Sequence, residues 1–281
     1  MNRGFISKIT KNNKAVAAAL IFLIAVVAIS ALAELLPLMD PNEGSLSSSL
    51  CPPSIFAYKD SRHLLGTDLY GRDICSRIIY GARTSLGIAF IATLLSMGLG
   101  VLLGLLAGYF AFLDQIIMRI VDIQLSFPAV VLAIALVSAL GGPSITNLVI
   151  VLAIRGWIQF ARVVRSQVLS LKESVLIEAV ESLGATRWRT IFVHMLPNVV
   201  SSSVAIATVY LPMVMIQEAG LSFLGLGVPI HIPSWGMMLR EGQQMIYTAW
   251  WPIVFPTLAV TSVVFAGVIV GDWLTRLYEK V

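Results

Sequence analysis

Residues 174–198 read SVLIEAVESLGATRWRTIFVHMLPN and form the one long polar and charged stretch in the otherwise hydrophobic second half of the chain. Apolar residues recur at helical spacing after Ser174, whose hydroxyl we expect to cap the helix by accepting a first-turn N–H. Gly184 predicts the end of that helix, because glycine tolerates the left-handed backbone conformation at which many helices stop. Thr186 predicts the start of a second helix, which ends before Pro197 opens the next hydrophobic span. The stretch therefore predicts two short helices that turn at a glycine, project from a membrane and dock on a partner.

The amino-acid composition predicts a protein with several membrane spans. Hydrophobic residues make up 58% of the chain and charged residues only 12%, whereas an average soluble domain is about one-quarter charged. The long uncharged runs reach the roughly 18 to 20 residues that a membrane-spanning helix needs. The net charge of +4 is not concentrated in a basic patch interleaved with aromatic residues, which excludes a nucleic-acid-binding surface.

We predict an all-α polytopic membrane protein with six transmembrane helices. The predicted organisation is a cytoplasmic N-terminal tail (1–14), a first transmembrane helix (15–36), an extracytoplasmic segment with an amphipathic helix (37–84), a core of five helices that includes the loop 166–196 (85–275) and a cytoplasmic tail (276–281). The first run ends in Ala31-Leu32-Ala33, which also resembles a signal-peptidase site, but an uncleaved helix is preferred because it leaves an even number of spans. Lys and Arg are more numerous on the side of the loop 166–196, which predicts that this loop and both termini are cytoplasmic.

Two breaks are predicted in the uncharged stretch 123–154, which is too long for a single helix. The sequence Gly141-Gly142-Pro143-Ser144 predicts a turn between two spans, and Phe127-Pro128 predicts a kink near the inner end of the first of them. The charged segment 114–122 precedes this stretch, and we expect it to form a short cytoplasmic turn.

Gly100, Gly104 and Gly108 lie four residues apart within the uncharged run 86–113. At this spacing they share one helix face, where the absence of side chains lets another helix approach closely. The pattern therefore predicts a close helix–helix contact.

Arg155 is an ionisable residue inside the membrane-like segment 147–157. The preferred interpretation is that its side chain extends to the cytoplasmic surface, close to Arg162 and Arg165. The alternative is that Arg155 faces a cavity within the membrane, since an ionisable residue at such a depth usually serves a function.

The first stretch also resembles a known motif. Glu178-Ala179, Gly184, Ile191 and Leu196-Pro197 resemble the Glu-Ala-Ala loop of bacterial ABC-importer permeases, although Val180 stands where that family usually has a second alanine. In that family the loop is the coupling helix, which docks in a groove of a cytoplasmic ATPase; the alternative is an ordinary amphipathic cytoplasmic loop. The resemblance implies that the ATPase contact is formed by Glu178, Ala179, Leu183 and Gly184, flanked by Arg187 and Arg189.

Residues 63–87, HLLGTDLYGRDICSRIIYGARTSLG, resemble a segment of the dipeptide, oligopeptide and nickel subfamily of these permeases. Spacing within this segment is compatible with an amphipathic helix. We expect an outer surface that faces a binding protein or a partner permease, formed by Asp68, Arg72, Asp73 and Arg77. The alternative is that these four residues pack the outer helix against the spans.

Residues 218–227, EAGLSFLGLG, and 233–236, PSWG, resemble the second signature of the same subfamily. Small residues and glycines allow the backbone to approach a pore or a neighbouring subunit, and Trp235 suits a membrane interface. The candidates for lining a passage are Ser222, Phe223, Gly225 and Gly227. The alternative is a re-entrant or packing segment.

The resemblance implies a type I ABC-importer permease fold in the bacterial cytoplasmic (inner) membrane. The expected partners are the lipid bilayer, a second homologous permease, two cytoplasmic ATPase subunits and an extracytoplasmic substrate-binding protein. The expected substrates are short peptides (dipeptides and oligopeptides), with nickel or metal-chelate complexes as the alternative. Rival hypotheses are a stand-alone secondary carrier and a non-transporting membrane scaffold.

The sequence predicts no catalytic or metal site in the chain itself. It contains no GxxxxGK[ST] motif, so we expect ATP and Mg to be bound by the partner ATPases and no cofactor by this chain. The three histidines are isolated from one another, and the spans hold few acidic residues for a proton relay, Glu218 being the main candidate. Cys51 and Cys75 both lie in the outer segment, where a disulfide is allowed but not required.

Overall fold

The computed structural model describes residues 14–54 and 63–278, so residues 1–13 of the predicted N-terminal tail and 279–281 of the predicted C-terminal tail lie outside the described residues. Apart from two isolated β-bridges, the long regular elements of the described residues are helices, as predicted. They are α1 (Lys14–Ala31), α2 (Ile74–Tyr109), α3 (Ala111–Ser126), α4 (Ala129–Ala139), α5 (Ile145–Lys172), α6 (Val175–Ser182), α7 (Arg187–Phe223), α8 (Trp235–Gln243) and α9 (Trp251–Tyr278).

Five of the described helices are long and apolar enough to cross a membrane, namely α1, α2, α5, α7 and α9. A sixth span exists only if α3 and α4 are counted as one, and these two helices are bent by 103° at their junction. Phe127 and Pro128 both adopt extended backbone angles there, since proline lacks an N–H donor and disfavours helical geometry in the residue before it. The predicted kink is therefore a complete break. The segment 114–122 is helical within α3, so its prediction as a turn was wrong.

Helix α2 is one uninterrupted helix of 36 residues. Asp73 caps it, because its carboxylate accepts a hydrogen bond from the Ser76 N–H at 2.7 Å. At a rise of about 1.5 Å per residue the helix is roughly 54 Å long, well beyond the thickness of a bilayer core. The outer amphipathic helix and the first span of the core, which the sequence divided at residues 84–85, are therefore two parts of one continuous helix. The point at which this helix enters the membrane stays a prediction.

The predicted glycine face of α2 is the site of its close contact with α5. A Cβ atom placed on Gly100 would lie 2.5 Å from the Trp157 carbonyl oxygen, and one on Gly104 would lie 2.8 Å from the Ala161 carbonyl oxygen. A Cβ atom placed on Gly108 would lie 2.6 Å from the Val168 side chain. These distances leave no room for a side chain, which confirms the predicted helix–helix contact.

Helix α7 continues through Pro197 without a break, so the predicted second short helix does not end there. Residues Thr190–Met195 form a wider π-helical turn directly before the proline. Such a turn accommodates a position at which the regular helical hydrogen-bond donor is missing. The side-chain amide of Asn198 also donates to the His194 carbonyl at 2.6 Å. Together these adjustments keep the helix continuous from Arg187 to Phe223.

Helix α8 packs against the first turns of α2. Trp235, which was predicted to suit a membrane interface, is 2% exposed and its indole N–H donates to the Ile78 carbonyl at 2.9 Å. Buried neighbours on α2, not lipid, satisfy its polar group. Cys51 and Cys75 are both free thiols in the structure, and the disulfide that the sequence allowed is not formed.

We expect Gly104→Val to lower the free energy of unfolding of the purified protein by about 1 to 3 kcal/mol, because the added atoms overlap the α5 backbone. Thermal unfolding in mild detergent measures the change. Gly98→Val is the matched control, since a Cβ at Gly98 meets nothing within 4 Å. Equal stability of the two variants would contradict the packing assigned to Gly104.

Candidate functional site

The first candidate site is the loop between α5 and α7, most of whose residues are exposed. Gly184 ends α6 with a φ of +82°, in the region that favours glycine. Thr186 caps the start of α7 by accepting from the Arg189 N–H at 3.4 Å. Ser174 occupies the N-cap position of α6, but its hydroxyl donates to the Leu171 carbonyl, so the predicted capping bond is absent. The short helix and its turn at Gly184 are therefore confirmed, whereas the predicted Ser174 cap is absent and the second helix is the start of the long helix α7.

The six residues predicted to contact an ATPase are all exposed: Glu178, Ala179, Leu183, Gly184, Arg187 and Arg189. Leu183 is 88% exposed and Val175 is 80% exposed. Apolar side chains exposed together beside charged ones are typical of a protein–protein contact surface. Their role in such a contact remains a prediction.

A second set of residues, which the sequence did not single out, fastens this loop to the end of α2. Ile177 is 1% exposed and belongs to a buried cluster with residues of α2, α5 and α7. The Tyr109 hydroxyl donates to Glu181 at 2.8 Å, and the rings of Phe110 and Trp188 lie 6.0 Å apart. The loop is therefore attached to the end of α2 through a buried apolar cluster and a hydrogen bond. The aromatic pair 109–110 at the end of an apolar run was the signal available in the sequence.

The second candidate site is a group of ionised side chains at the opposite end of α2. Arg72 is held between Asp68, 2.6 Å from its Nε, and Glu241, 2.7 Å from its Nη2. Arg77 lies 3.2 Å from the same Glu241 carboxylate. Burial opposes the charge of Arg72, but these two carboxylates outweigh it and hold the pKa of its guanidinium above the ordinary value. Glu241, on α8, was not identified from the sequence.

All four residues predicted to form an outer contact surface, Asp68, Arg72, Asp73 and Arg77, are buried within this chain. Asp73 caps α2 and lies 3.1 Å from His63, while the others bind one another and Glu241. This arrangement agrees with the alternative prediction, in which these four residues pack the outer helix against the spans. A contact of these side chains with a partner remains an untested prediction.

Of the residues predicted to line a passage, Ser222 and Gly225 lie against α8, and none of the four lines the large cavity described below. The Ser222 hydroxyl donates to Glu218 at 2.9 Å and the residue is fully buried. A Cβ on Gly227 would lie 2.0 Å from the Ser222 hydroxyl, and one on Gly225 would lie 2.3 Å from the Arg240 guanidinium. Phe223 is only partly exposed. Contact with a transported ligand remains a prediction for these four residues.

The third candidate site is a cavity of about 690 Å³ between the α3–α4 break, α5 and α7. Arg155 lines it, together with Gln159 on the next turn of α5 and with Tyr210 and Gln217 on α7. The preferred interpretation, that Arg155 extends to the cytoplasmic surface, is not what the structure favours, because its side chain lies on this cavity. A cavity of this size falls in the range of small-ligand sites.

No group of three or more metal-ligating side chains is positioned to hold a metal ion among residues 14–54 and 63–278. The three sites consist of exposed side chains on the loop, buried ion pairs beside α2 and polar side chains that line a cavity.

The sequence of the chain is similar to those of known transport proteins over most of its length. Residues 100–280 match the family described as binding-protein-dependent transport system inner membrane component. The chain is 40% identical over 265 residues to the dipeptide transport system permease protein DppC of Alkalihalophilus pseudofirmus, covering 94% of this chain and 85% of that protein. It is 43% identical over 215 residues to the glutathione transport system permease protein GsiD of Pectobacterium atrosepticum, covering 76% of this chain and 71% of that protein.

A solved structure of the MetNI methionine ABC transporter in an inward-facing conformation is similar in fold. It aligns with a TM-score of 0.59 at 20% sequence identity and covers 72% of this chain and 95% of that chain. The expected permease fold is confirmed by this likeness, which at such an identity concerns the fold alone.

We expect Glu241→Gln to lower the free energy of unfolding by about 3 kcal/mol, because it leaves two buried arginines without the carboxylate that they share. Chemical or thermal denaturation in detergent measures the loss. Glu34→Gln is the control, since it breaks an exposed ion pair with Arg83 and should cost less than about 1 kcal/mol. A loss no larger for Glu241→Gln than for Glu34→Gln would contradict the structural role of the cluster.

Proposed function

The chain belongs to the family of binding-protein-dependent transport system inner membrane components, and from this premise we propose that it is the permease subunit of an ATP-driven importer of short peptides. In this proposal it pairs with a second homologous permease to form a passage. Two cytoplasmic ATPase subunits and an extracytoplasmic substrate-binding protein complete the transporter. The chain itself performs transport and not catalysis, and ATP and Mg are bound by the ATPases.

The observation that carries the proposal is the exposed loop of α6 and the start of α7, anchored to α2. Its outer surface offers apolar and charged side chains to a partner, while its inner surface is fixed through Ile177 and Tyr109. ATPase subunits outside the membrane need a rigid attachment of this kind in order to move helices within the membrane. An exposed loop without such an anchor would flex under load and transmit little.

The mechanism we propose is alternating access between inward-open and outward-open arrangements of the helices. ATP-driven closure of the ATPases displaces the loop, and α2 carries the displacement to its far end. Each ligand shifts the equilibrium only by the difference between its affinities for the two arrangements. The binding protein releases its peptide into the outward-open passage, and ATP hydrolysis restores the inward-open one.

Peptides are proposed as substrates because the two relatives described above are named as dipeptide and glutathione permeases. The cavity beside α5 supports this choice, since it presents an arginine together with amide side chains. A cation in the cavity repels free nickel ions and attracts carboxylates. For orientation, the excess of Lys and Arg on the loop side supports cytoplasmic termini.

The proposal is tested by reconstituting the chain with its partner subunits in proteoliposomes. Labelled dipeptide on the side of the binding protein should enter only when ATP is supplied to the ATPases. Uptake without any ATPase, driven by a proton gradient, would overturn the proposal in favour of a secondary carrier.

We expect the double variant Glu178→Lys, Gly184→Pro to lose ATPase binding and ATP-driven uptake while still inserting into the membrane. The first change reverses an exposed charge, and the second removes the N–H and the positive φ that end α6. Co-purification of the ATPase in mild detergent and uptake in proteoliposomes measure the two effects.

Glu43→Lys is the matched control for the charge reversal, because Glu43 is also exposed but lies in the segment before α2, far from the loop along the chain. It should retain the ATPase and normal uptake. Normal uptake by the double variant would remove the loop from the mechanism.

A further inference from the structure

One face of α5 is polar although the rest of the helix is largely buried. Arg155, Gln159, Arg162 and Ser166 follow one another at spacings of four, three and four residues and share that face. Arg162 and Ser166 are exposed, as is Gln159, while Arg155 is half-buried. The opposite face packs against the glycines of α2. A polar face on a helix that crosses a membrane indicates contact with water or with a polar ligand.

Arg155 lies deepest on this face. It is the eleventh residue of α5, about 15 Å along the axis from Ile145, which is about half of the bilayer core. Within residues 14–54 and 63–278 its guanidinium forms no ion pair, and Tyr210 is the one electrostatic neighbour found for it. A cation at this depth without a carboxylate partner is costly to maintain, which calls for an anionic ligand.

The backbone that carries Arg155 is fixed from a neighbouring helix. The Gln124 side chain on α3 donates to the Ile154 carbonyl at 2.8 Å and accepts from the Trp157 indole N–H at 3.2 Å. These two bonds bracket Arg155 in the sequence. Gln159 and Gln217 line the same cavity. The cavity thus combines a positioned cation with amide groups that can bind peptide N–H and C=O groups.

We infer that Arg155 binds the terminal carboxylate of the transported peptide in the 690 Å³ cavity beside α5. A guanidinium binds a carboxylate through two parallel hydrogen bonds, which a lysine or an amide does not reproduce. The face continues through Gln159 towards Arg162, about 10 Å closer to the loop, along the direction in which an imported ligand would travel. This inference rests on the proposed function, since it assumes that peptides enter the cavity.

The test compares uptake of a dipeptide and of its C-terminal amide by the complete transporter in proteoliposomes. The binding protein is loaded to the same occupancy with either compound, so that its own affinity does not affect the comparison. Arg155→Gln removes the charge, and Arg155→Lys keeps the charge but not the planar pair of donors. Arg119→Gln is the matched control, because Arg119 is an exposed arginine on α3 with no role in the cavity.

The expected result is that wild type takes up the dipeptide about tenfold faster than the amide, from the strength of charged hydrogen bonds. Arg155→Gln should lose about tenfold in dipeptide uptake and show no preference, Arg155→Lys should lose less, and Arg119→Gln should equal wild type. ATPase stimulation by the binding protein, the melting temperature and co-purification of the second permease should not change in any variant.

Three results would overturn the inference. Undiminished preference for the dipeptide in Arg155→Gln would show that another group binds the carboxylate, while leaving the proposed function intact. Loss of the second permease from Arg155→Gln would show that Arg155 pairs with a carboxylate of that subunit. ATP hydrolysis by wild type without uptake of either compound would overturn both this inference and the proposed peptide substrate.

Discussion

The close contact between α2 and α5 is the constraint on which the other features depend. Two helix backbones can approach this closely only along a face without side chains, and Gly100, Gly104 and Gly108 provide that face. Once α5 is packed here, its opposite side is left to form the wall of the cavity. The position of Arg155 on that wall follows from the packing of residues that never contact it.

Helix α2 also joins the two ends of the molecule. Its first turn is capped by Asp73 and packed beside the buried ion pairs, while its last residue, Tyr109, holds the loop. This helix of 36 residues has no break between its two ends. Placing the paired charges of these arginines out of water has a large desolvation cost, so the intact pairs add little net stability although removal of one partner is destabilising.

Two proline-containing positions disturb their helices to different extents. The α3–α4 junction bends by 103° beside the cavity, whereas α7 passes Pro197 with only a local π-helical turn. Both positions contain proline, but only at Phe127-Pro128 do two consecutive residues leave the helical region. The sharper break lies beside the cavity next to α5, and the milder one leaves α7 continuous where it begins after the loop.

The sequence by itself determined that the long apolar segments are helices, where the glycine face of α2 lies and how the loop turns at Gly184. These features depend on local properties: hydrophobicity, missing side chains and backbone freedom. It also indicated the family through motifs in the loop and in residues 63–87 and 218–236.

Only the tertiary structure decided which side chains meet. Glu241 is 169 residues from its partner Arg72, and no periodicity links residues so far apart. Burial likewise depends on what packs above a residue, so Asp68 and Arg77 were predicted to face outwards yet lie inside. For Arg155, the charge was evident in the sequence, but whether the side chain meets solvent or a cavity depends on three other helices.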